Sequence, residues 1–271
     1  MRFELTLNRT TKQRMLPMDY QYYISAWVYK VLKQADKNFA EFLHEKGYGQ
    51  NPGKLYKLFC FSRLNFGKPR LWKEKKLFEI AAHDIKLQLS FDVNQVATHF
   101  IKGLFMQQEF YLGDKFNGID YKVVNVAALP EPKFSETMHY CLQTPWVVSH
   151  KAEGDRYPQY LSADDENFEA LAIKHITEKF NNTRAQKTIL PGQIRLKRTS
   201  NFKRAGFVVK PGTREQSRIV GNLFELELTA PIDVQRMVWN AGICEKSSSG
   251  FGWLEVLNTT DRVSNSVRDK K

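Results

Sequence analysis

The chain has 271 residues, 42% apolar and 26% charged, a globular composition for one or two domains that excludes a disordered chain. Lys and Arg outnumber Asp and Glu by 41 to 29, a formal charge of +12. The excess points to a polyanion, nucleic acid before membrane, because no basic amphipathic helix stands out.

Phe3, Leu5 and Leu7 alternate with Glu4 and Thr6, the period of a half-buried strand. After Leu16-Pro17, apolar Ile24, Val28, Val31, Leu32 and Ala35 recur at helical spacing. Asp36 is placed to cap a second helix with Phe39, Phe42 and Leu43 on one face, ending at Gly47. Tyr29 falls off the centre of its apolar stripe and His44 nearly opposite Phe42, so neither sits where a core residue belongs. A Gly/Pro segment, Gly47 to Gly53, leads into a strand over Lys57–Ser62. A second strand alternates through Ile85, Leu87, Leu89 and Phe91. Asp92 or Asn94 is expected to cap a helix carrying Val96, Phe100 and Leu104, and a strand follows over Ile119–Val126.

Leu129-Pro130-Glu131-Pro132 reads as a linker. Met138, Tyr140 and Leu142 open a second set. Ser162-Ala163-Asp164-Asp165 resembles a capping box before a helix to about Phe180. Ile194-Arg195-Leu196-Lys197 alternates as a strand with one charged face, Phe224, Leu226 and Leu228 form the next strand, and a helix with Pro231 as first residue stops at Gly242. A strand from Trp253 to Leu257 closes the set. The expected fold class is α+β, two tandem ferredoxin-like (RRM-like) domains of β-α-β-β-α-β order with a glycine-rich loop before the last strand. The expected divisions are 1–129, 133–257 and a frayed tail, 258–271. The likeness to RNA-binding sheets is fold analogy alone.

Charge is clustered. Lys54 to Lys76 holds eight basic residues and one acidic; Arg184 to Arg218 holds ten and one. Two such runs mark a polyanion-binding face, in which Arg195, Lys197, Arg198 and Lys203 are candidate RNA contacts. Between the Pro231 helix and the last strand lies Gly242-Ile-Cys-Glu-Lys246-Ser247-Ser248-Ser249-Gly250-Phe-Gly252. Such a loop can cradle phosphate with its N–H groups. It follows a helix C-terminus, where the dipole is negative, so a mononucleotide cradle of the strand–loop–helix kind does not fit. A clamp on an extended polyanion does, with Gly242, Lys246, Ser247, Ser248, Gly250 and Gly252 as its parts. On this reading Gly250→Val weakens RNA binding without unfolding the protein. Cys60, Cys141 and Cys244 are odd in number and without a CxxC pair, which argues against a disulfide framework or structural zinc. No signal-peptide apolar region or membrane-length run occurs, so a cytoplasmic location and no membrane partner are expected.

The Gly242–Gly252 loop resembles the glycine-rich signature of the CRISPR repeat-processing endoribonucleases, the sixth family of CRISPR-associated proteins, within the RAMP superfamily. The run from Leu16 to Tyr29, Phe42-Leu43-His44-Glu45, Lys57-Leu58-Phe59 and the order of elements are also similar to that family. The resemblance spans nearly the whole chain. It implies two ferredoxin-like domains that bind CRISPR repeat RNA and cut each repeat once, without metal or other cofactor. It maps the family's catalytic Tyr, His and Lys onto Tyr29, His44 and Lys57, with Lys54 close by as the alternative lysine. Cys244 departs from the pattern, standing where a second Gly is usual.

RNA can cleave itself when its 2′-hydroxyl attacks the adjacent phosphate in line. One His of near-neutral pKa suits the proton transfer, Lys the fixed charge and Tyr the orientation of phosphate or the delivery of a proton. No acidic or His cluster with two-metal spacing is visible. His175-Ile176-Thr177 matches half of a paired cyclic-phosphodiesterase signature and lacks the second copy; His83, His99, His139 and His150 carry no comparable context. Two functions stay open: an endoribonuclease acting on precursor CRISPR RNA, and a non-catalytic subunit that holds processed CRISPR RNA in an effector complex. Retention of His44 favours the first. Other effector-complex subunits and a second copy of the chain stay open as partners.

Overall fold

The computed structural model describes residues 1–49, 55–152, 154, 157–184 and 188–257. Lys54, Gly53 and the expected tail lie outside the described residues. The first half runs β1 (Arg2–Arg9), β2 (Met15–Pro17), α1 (Tyr20–Ala35), α2 (Lys37–Glu41), β3 (Phe59–Phe61), β4 (Arg70–Trp72), β5 (Leu77–Glu79), β6 (Asp84–Phe91), α3 (Asn94–Met106), β7 (Glu109–Gly113) and β8 (Gly118–Leu129). The second runs β9 (Thr137–Leu142), β10 (Ser149–His150), β11 (Gln159–Tyr160), α4 (Phe168–Thr183), β12 (Arg195–Arg198), β13 (Lys203–Val209), β14 (Ser217–Leu223), β15 (Glu225–Thr229), α5 (Ile232–Ala241) and β16 (Leu254–Val256).

The sheets have the order β3-β6-β1-β8-β7 and β12-β15-β9-β16. Numbered within each unit, both read 2-3-1-4, antiparallel, with a helix after the first and third strands: two tandem ferredoxin-like domains, the first with β7 added at its edge. Leu5 and Leu7 are fully buried under α1 and α3, as their alternation requires, and Ile24, Val28, Val31 and Leu32 form the buried stripe of α1. No described helix is long and apolar enough to cross a membrane.

Several local expectations change. The β4–β5 hairpin, the β13–β14 hairpin and β7 are strands the pattern does not announce: β4 and β5 have three residues each, and β13 and β14, seven each, lack a clean apolar–polar alternation. The strand expected from Lys57 begins at Phe59, because Leu58 has φ 55°, which turns the chain out of extended geometry. Neither Asp92 nor Asn94 caps α3; the N-cap is Val93, and the Asp92 carboxylate is buried against the Arg184 guanidinium of the other domain. The Ser162–Asp165 segment forms turns, and α4 starts only at Phe168 after Asn167. Pro231 is the N-cap of α5 rather than its first residue.

The two domains are tied by buried polar groups. The Arg2 guanidinium lies between the rings of Trp239 and Trp253, 3.2 and 3.9 Å from their centroids. It donates to the carbonyls of Trp239 (2.7 Å) and Leu254 (2.9 Å) and pairs with Glu255 at 3.4 Å. Burial presses its pKa down to about 9, which leaves it charged at neutral pH. Within the second domain, Lys179 Nζ donates to the carbonyls of Ala241 (3.0 Å) and Gly242 (2.8 Å), satisfying the end of α5 where the glycine-rich loop begins.

Candidate functional site

His44 sits in a π-helical turn, Phe42–Lys46, that continues α2. The Asp36 side chain caps α2, accepting from Phe39 N at 2.9 Å, and Leu43 anchors the turn at 0% exposure. The wider turn rotates Phe42 out of the core, to 38% exposure, and leaves His44 exposed beside it. Gly47 ends the turn at φ 68°; a Cβ there would lie 2.8 Å from the Tyr56 carbonyl and 3.1 Å from Lys57 Cδ.

Lys57 is placed by the seam between the domains. Tyr48 and Tyr56 exchange two backbone hydrogen bonds at 2.7 Å, which brings the chain back beside the turn. Tyr56 and Leu58, its neighbours in sequence, are buried in the core of the second domain. Lys57 points the other way, and its Nζ donates to the His44 carbonyl at 2.6 Å. Partial burial pushes its pKa down. The lysine thus belongs to the first domain by sequence and is anchored by the second. Leu58, non-glycine at positive φ, carries local backbone strain next to it.

Tyr29 comes from α1, half-buried and edge-on to the ring of Phe59. Its ring centroid is 4.9 Å from that of His44, at 82°. Desolvation pushes its pKa up to about 12, so near neutral pH the phenol is a hydrogen-bond donor and not a base. The Ser248 side chain is hydrogen-bonded to it. One turn back on the same face, Ser25 Oγ donates to the Ser248 carbonyl at 2.8 Å. Sequence reasoning gives Ser25 no role, although its i−4 relation to Tyr29 carries the signal. Tyr29, His44, Lys57 and Ser248 therefore meet at one place.

The glycine-rich loop turns out to be a joint as well as a surface. Ser247–Ser249 form a short 3₁₀ turn packed against β3 and α1. The N–H groups of Ile243, Ser249, Gly250 and Gly252 all donate to backbone carbonyls, so two of the six expected clamp residues, Gly250 and Gly252, have their N–H groups engaged within the protein. Lys246 stays half-exposed and Ser247 is buried. A Cβ on Gly242 would meet Cys60 Sγ at 2.9 Å, one on Gly250 the Phe61 ring at 2.4 Å, and one on Gly252 the Cys244 backbone N at 2.8 Å. Cys244, at the unusual position, is itself buried. Gly250→Val is therefore expected to destabilise the fold by at least about 1–3 kcal/mol, read as a lower denaturant midpoint, contrary to the expectation from sequence. A wild-type midpoint would show that the loop is free to yield.

Arg195, Lys197, Arg198 and Lys203 lie elsewhere. β12 is the edge strand farthest from β16, three strand spacings or about 14 Å away. Arg195 and Lys197 are exposed, with Leu196 buried between them, and Lys197 is paired in register with Glu227. Arg198 donates to the Ala163 carbonyl at 3.3 Å and lies over Phe202; Lys203 opens the β13–β14 hairpin, exposed. No hydrogen bond or ion pair among the described residues joins them to the Tyr29–His44–Lys57 group. That hairpin docks on the start of α1, where Val208 N donates to Asp19 Oδ1 at 2.8 Å. The interdomain cleft beside it, about 420 Å³, is lined by Arg63 and Lys76 from the first basic run and Arg218 from the second. The two runs, distant in sequence, converge there.

Comparison with known proteins identifies the family and the fold. Residues 15–126 match the model of the CRISPR-associated protein Cas6 N-terminal region, and residues 129–256 that of the Cas6 C-terminal region. The CRISPR-associated endoribonuclease Cas6 of Pyrococcus furiosus is 25% identical over 268 residues, covering 94% of this chain and 90% of that protein. A solved structure of a Cas6-related gene product from Pyrococcus furiosus superposes with a TM-score of 0.79 at 22% identity, over 96% of this chain and 99% of the other. A RAMP protein described as binding different RNA substrates also gives 0.79, at 20% identity, over 95% and 100%. With matched regions running from residue 15 to residue 256 and the paired ferredoxin-like sheets in common, the chain belongs to the Cas6 family of CRISPR-associated proteins.

Proposed function

We propose that the protein is an endoribonuclease that cuts CRISPR repeat RNA in a precursor transcript, once per repeat, to release guide RNAs. The single observation that carries this reading is the meeting of Tyr29, His44 and Lys57 at the domain seam. The RNA's own 2′-hydroxyl attacks the adjacent phosphorus; the 5′-oxygen leaves. The products are a 2′,3′-cyclic phosphate and a 5′-hydroxyl. The exposed His44 imidazole is the proton-transfer group. The Lys57 ammonium offsets charge on the phosphorane once it turns from the His44 carbonyl to the phosphate. His44 takes the 2′-hydroxyl proton as the new P–O bond forms; Tyr29, held protonated, gives its proton to the 5′-oxygen as the old bond breaks, and proton exchange with solvent resets both groups. Three side chains supply each charge and proton the reaction needs, so no metal enters the scheme.

The RNA path draws on the Arg63–Lys76–Arg218 cleft and on Arg195, Lys197, Arg198 and Lys203. Replacing Arg195, Lys197 and Arg198 with Ala is expected to weaken RNA binding and to flatten its log–log salt dependence by roughly 0.7 for each phosphate no longer neutralised. An unchanged slope would reduce β12 to a solvated edge.

The competing reading, a subunit that holds processed RNA without cutting it, needs only the basic surfaces. Incubation of the purified protein with its repeat RNA in EDTA separates the two. Cleavage at one position, with cyclic-phosphate ends, supports the enzyme. Binding without cleavage, with or without added Mg²⁺, supports the subunit. Strict dependence on Mg²⁺ or Mn²⁺ overturns the mechanism.

A further inference from the structure

Beside the proposed catalytic group lies a second concavity, about 610 Å³ in volume, on the second domain. Two of its lining segments continue in sequence into that group. Leu55 and Tyr56 of its rim run directly into Lys57, and Glu245 and Lys246 run into the Ser247–Ser249 turn that holds Tyr29. Its wall is a single stripe of α4, with Leu171, Lys174, His175 and Glu178 at spacings of three, four and seven residues. The far rim is Ser149 to Lys151.

The lining has the mixed character that a nucleotide requires. Lys151 and Lys174 are exposed and Lys246 half-exposed, each from a different element, and none of the three ammonium groups is ion-paired or hydrogen-bonded among the described residues. Leu55, 44% exposed, and Leu171 offer apolar surface among these charges. Against the two carboxylates of the lining, Glu178 and Glu245, the three lysines are in excess, and ammonium groups beside apolar surface suit a phosphate with its base laid against the leucines. Neither the basic-run pattern nor the catalytic group accounts for Lys151 and Lys174, which stand outside both runs.

We propose that this concavity is the subsite for the nucleotide flanking the scissile phosphate, its backbone held by Lys151, Lys174 and Lys246 and its base against Leu55 and Leu171. The proposal rests on the endoribonuclease reading, since it fixes the subsite relative to the cut. Binding energy taken here orients the reacting phosphate on the Tyr29–His44–Lys57 group.

The test compares wild type with the double variant Lys151→Glu/Lys174→Glu. Both positions are exposed, and equal denaturant midpoints establish that the variant is folded. The cut is mapped with wild type, and two RNAs are used, the full repeat and one shortened to remove the nucleotides flanking the cut. The expected result is a loss of at least tenfold in affinity for the full repeat. Its salt slope falls by roughly 0.7 per lysine, and the two proteins bind the shortened RNA equally. Unchanged affinity and slope on the full repeat overturn the subsite while leaving the endonuclease standing. An equal loss on both RNAs also overturns it, because the lysines then grip backbone away from the cut. If wild type makes no cut, the endoribonuclease reading falls and the subsite with it.

Discussion

His44→Ala is expected to lower the single-turnover rate of repeat cleavage by about 10²-fold or more and to leave RNA affinity nearly intact. Three features make the substitution a clean probe. His44 is exposed, so truncation opens no cavity in the core. Its turn is anchored elsewhere, through Leu43 and the capped helix before it. The contact with Lys57 uses the main-chain carbonyl of residue 44, so Lys57 keeps its anchor when the imidazole is gone. What disappears is the imidazole, the proposed proton-transfer group, with its edge-on contact to Tyr29. A variant at the wild-type rate would move that group to another residue. Lys57→Ala also lowers the rate, but it removes a charge and a tether together, so the turn that carries His44 loosens as well. Separating those two effects takes Lys57→Met, which keeps much of the stem's packing and removes the charge. The competing lysine, Lys54, lies outside the described residues; if Lys54→Ala is the damaging change, the assignment to Lys57 fails.

A repeat RNA with a single 2′-deoxy substitution just 5′ of the scissile phosphate is expected to bind and not to be cut. If the nucleophile is the RNA's own 2′-hydroxyl, removing one oxygen removes the reaction, whatever His44 does. Affinity changes far less. It comes from phosphates, stacking and shape, and at most one hydrogen bond is removed, about 0.5–1.5 kcal/mol net or roughly an order of magnitude in the binding constant. The deoxy substrate therefore traps the complex. The trap is also the reagent for asking whether Lys57 leaves the His44 carbonyl for the phosphate when RNA is present. A nuclease that activates water would still cut the deoxy RNA and leave no cyclic phosphate. That cleavage would overturn proton transfer to an internal nucleophile by His44, even with RNA binding intact.

The sequence by itself determined what repeats locally. Alternation at Phe3, Leu5 and Leu7, the helical stripe from Ile24 to Leu32, Asp36 as a cap and Gly242 as a stop are all readable, because strand and helix periods depend on near neighbours. The position of Tyr29 and His44 off their apolar stripes was legible for the same reason. Tertiary structure decided whatever depends on partners distant in the chain. Asp92, a cap by pattern, is drawn to Arg184 because a buried carboxylate needs a cation more than a helix end exposed to water needs a side chain. Lys57 leaves its expected strand because Tyr56 and Leu58 fill the core of the other domain. The glycines that read as a phosphate cradle are small because Phe61, Cys60 and Cys244 press against them, contacts that no spacing along the chain encodes.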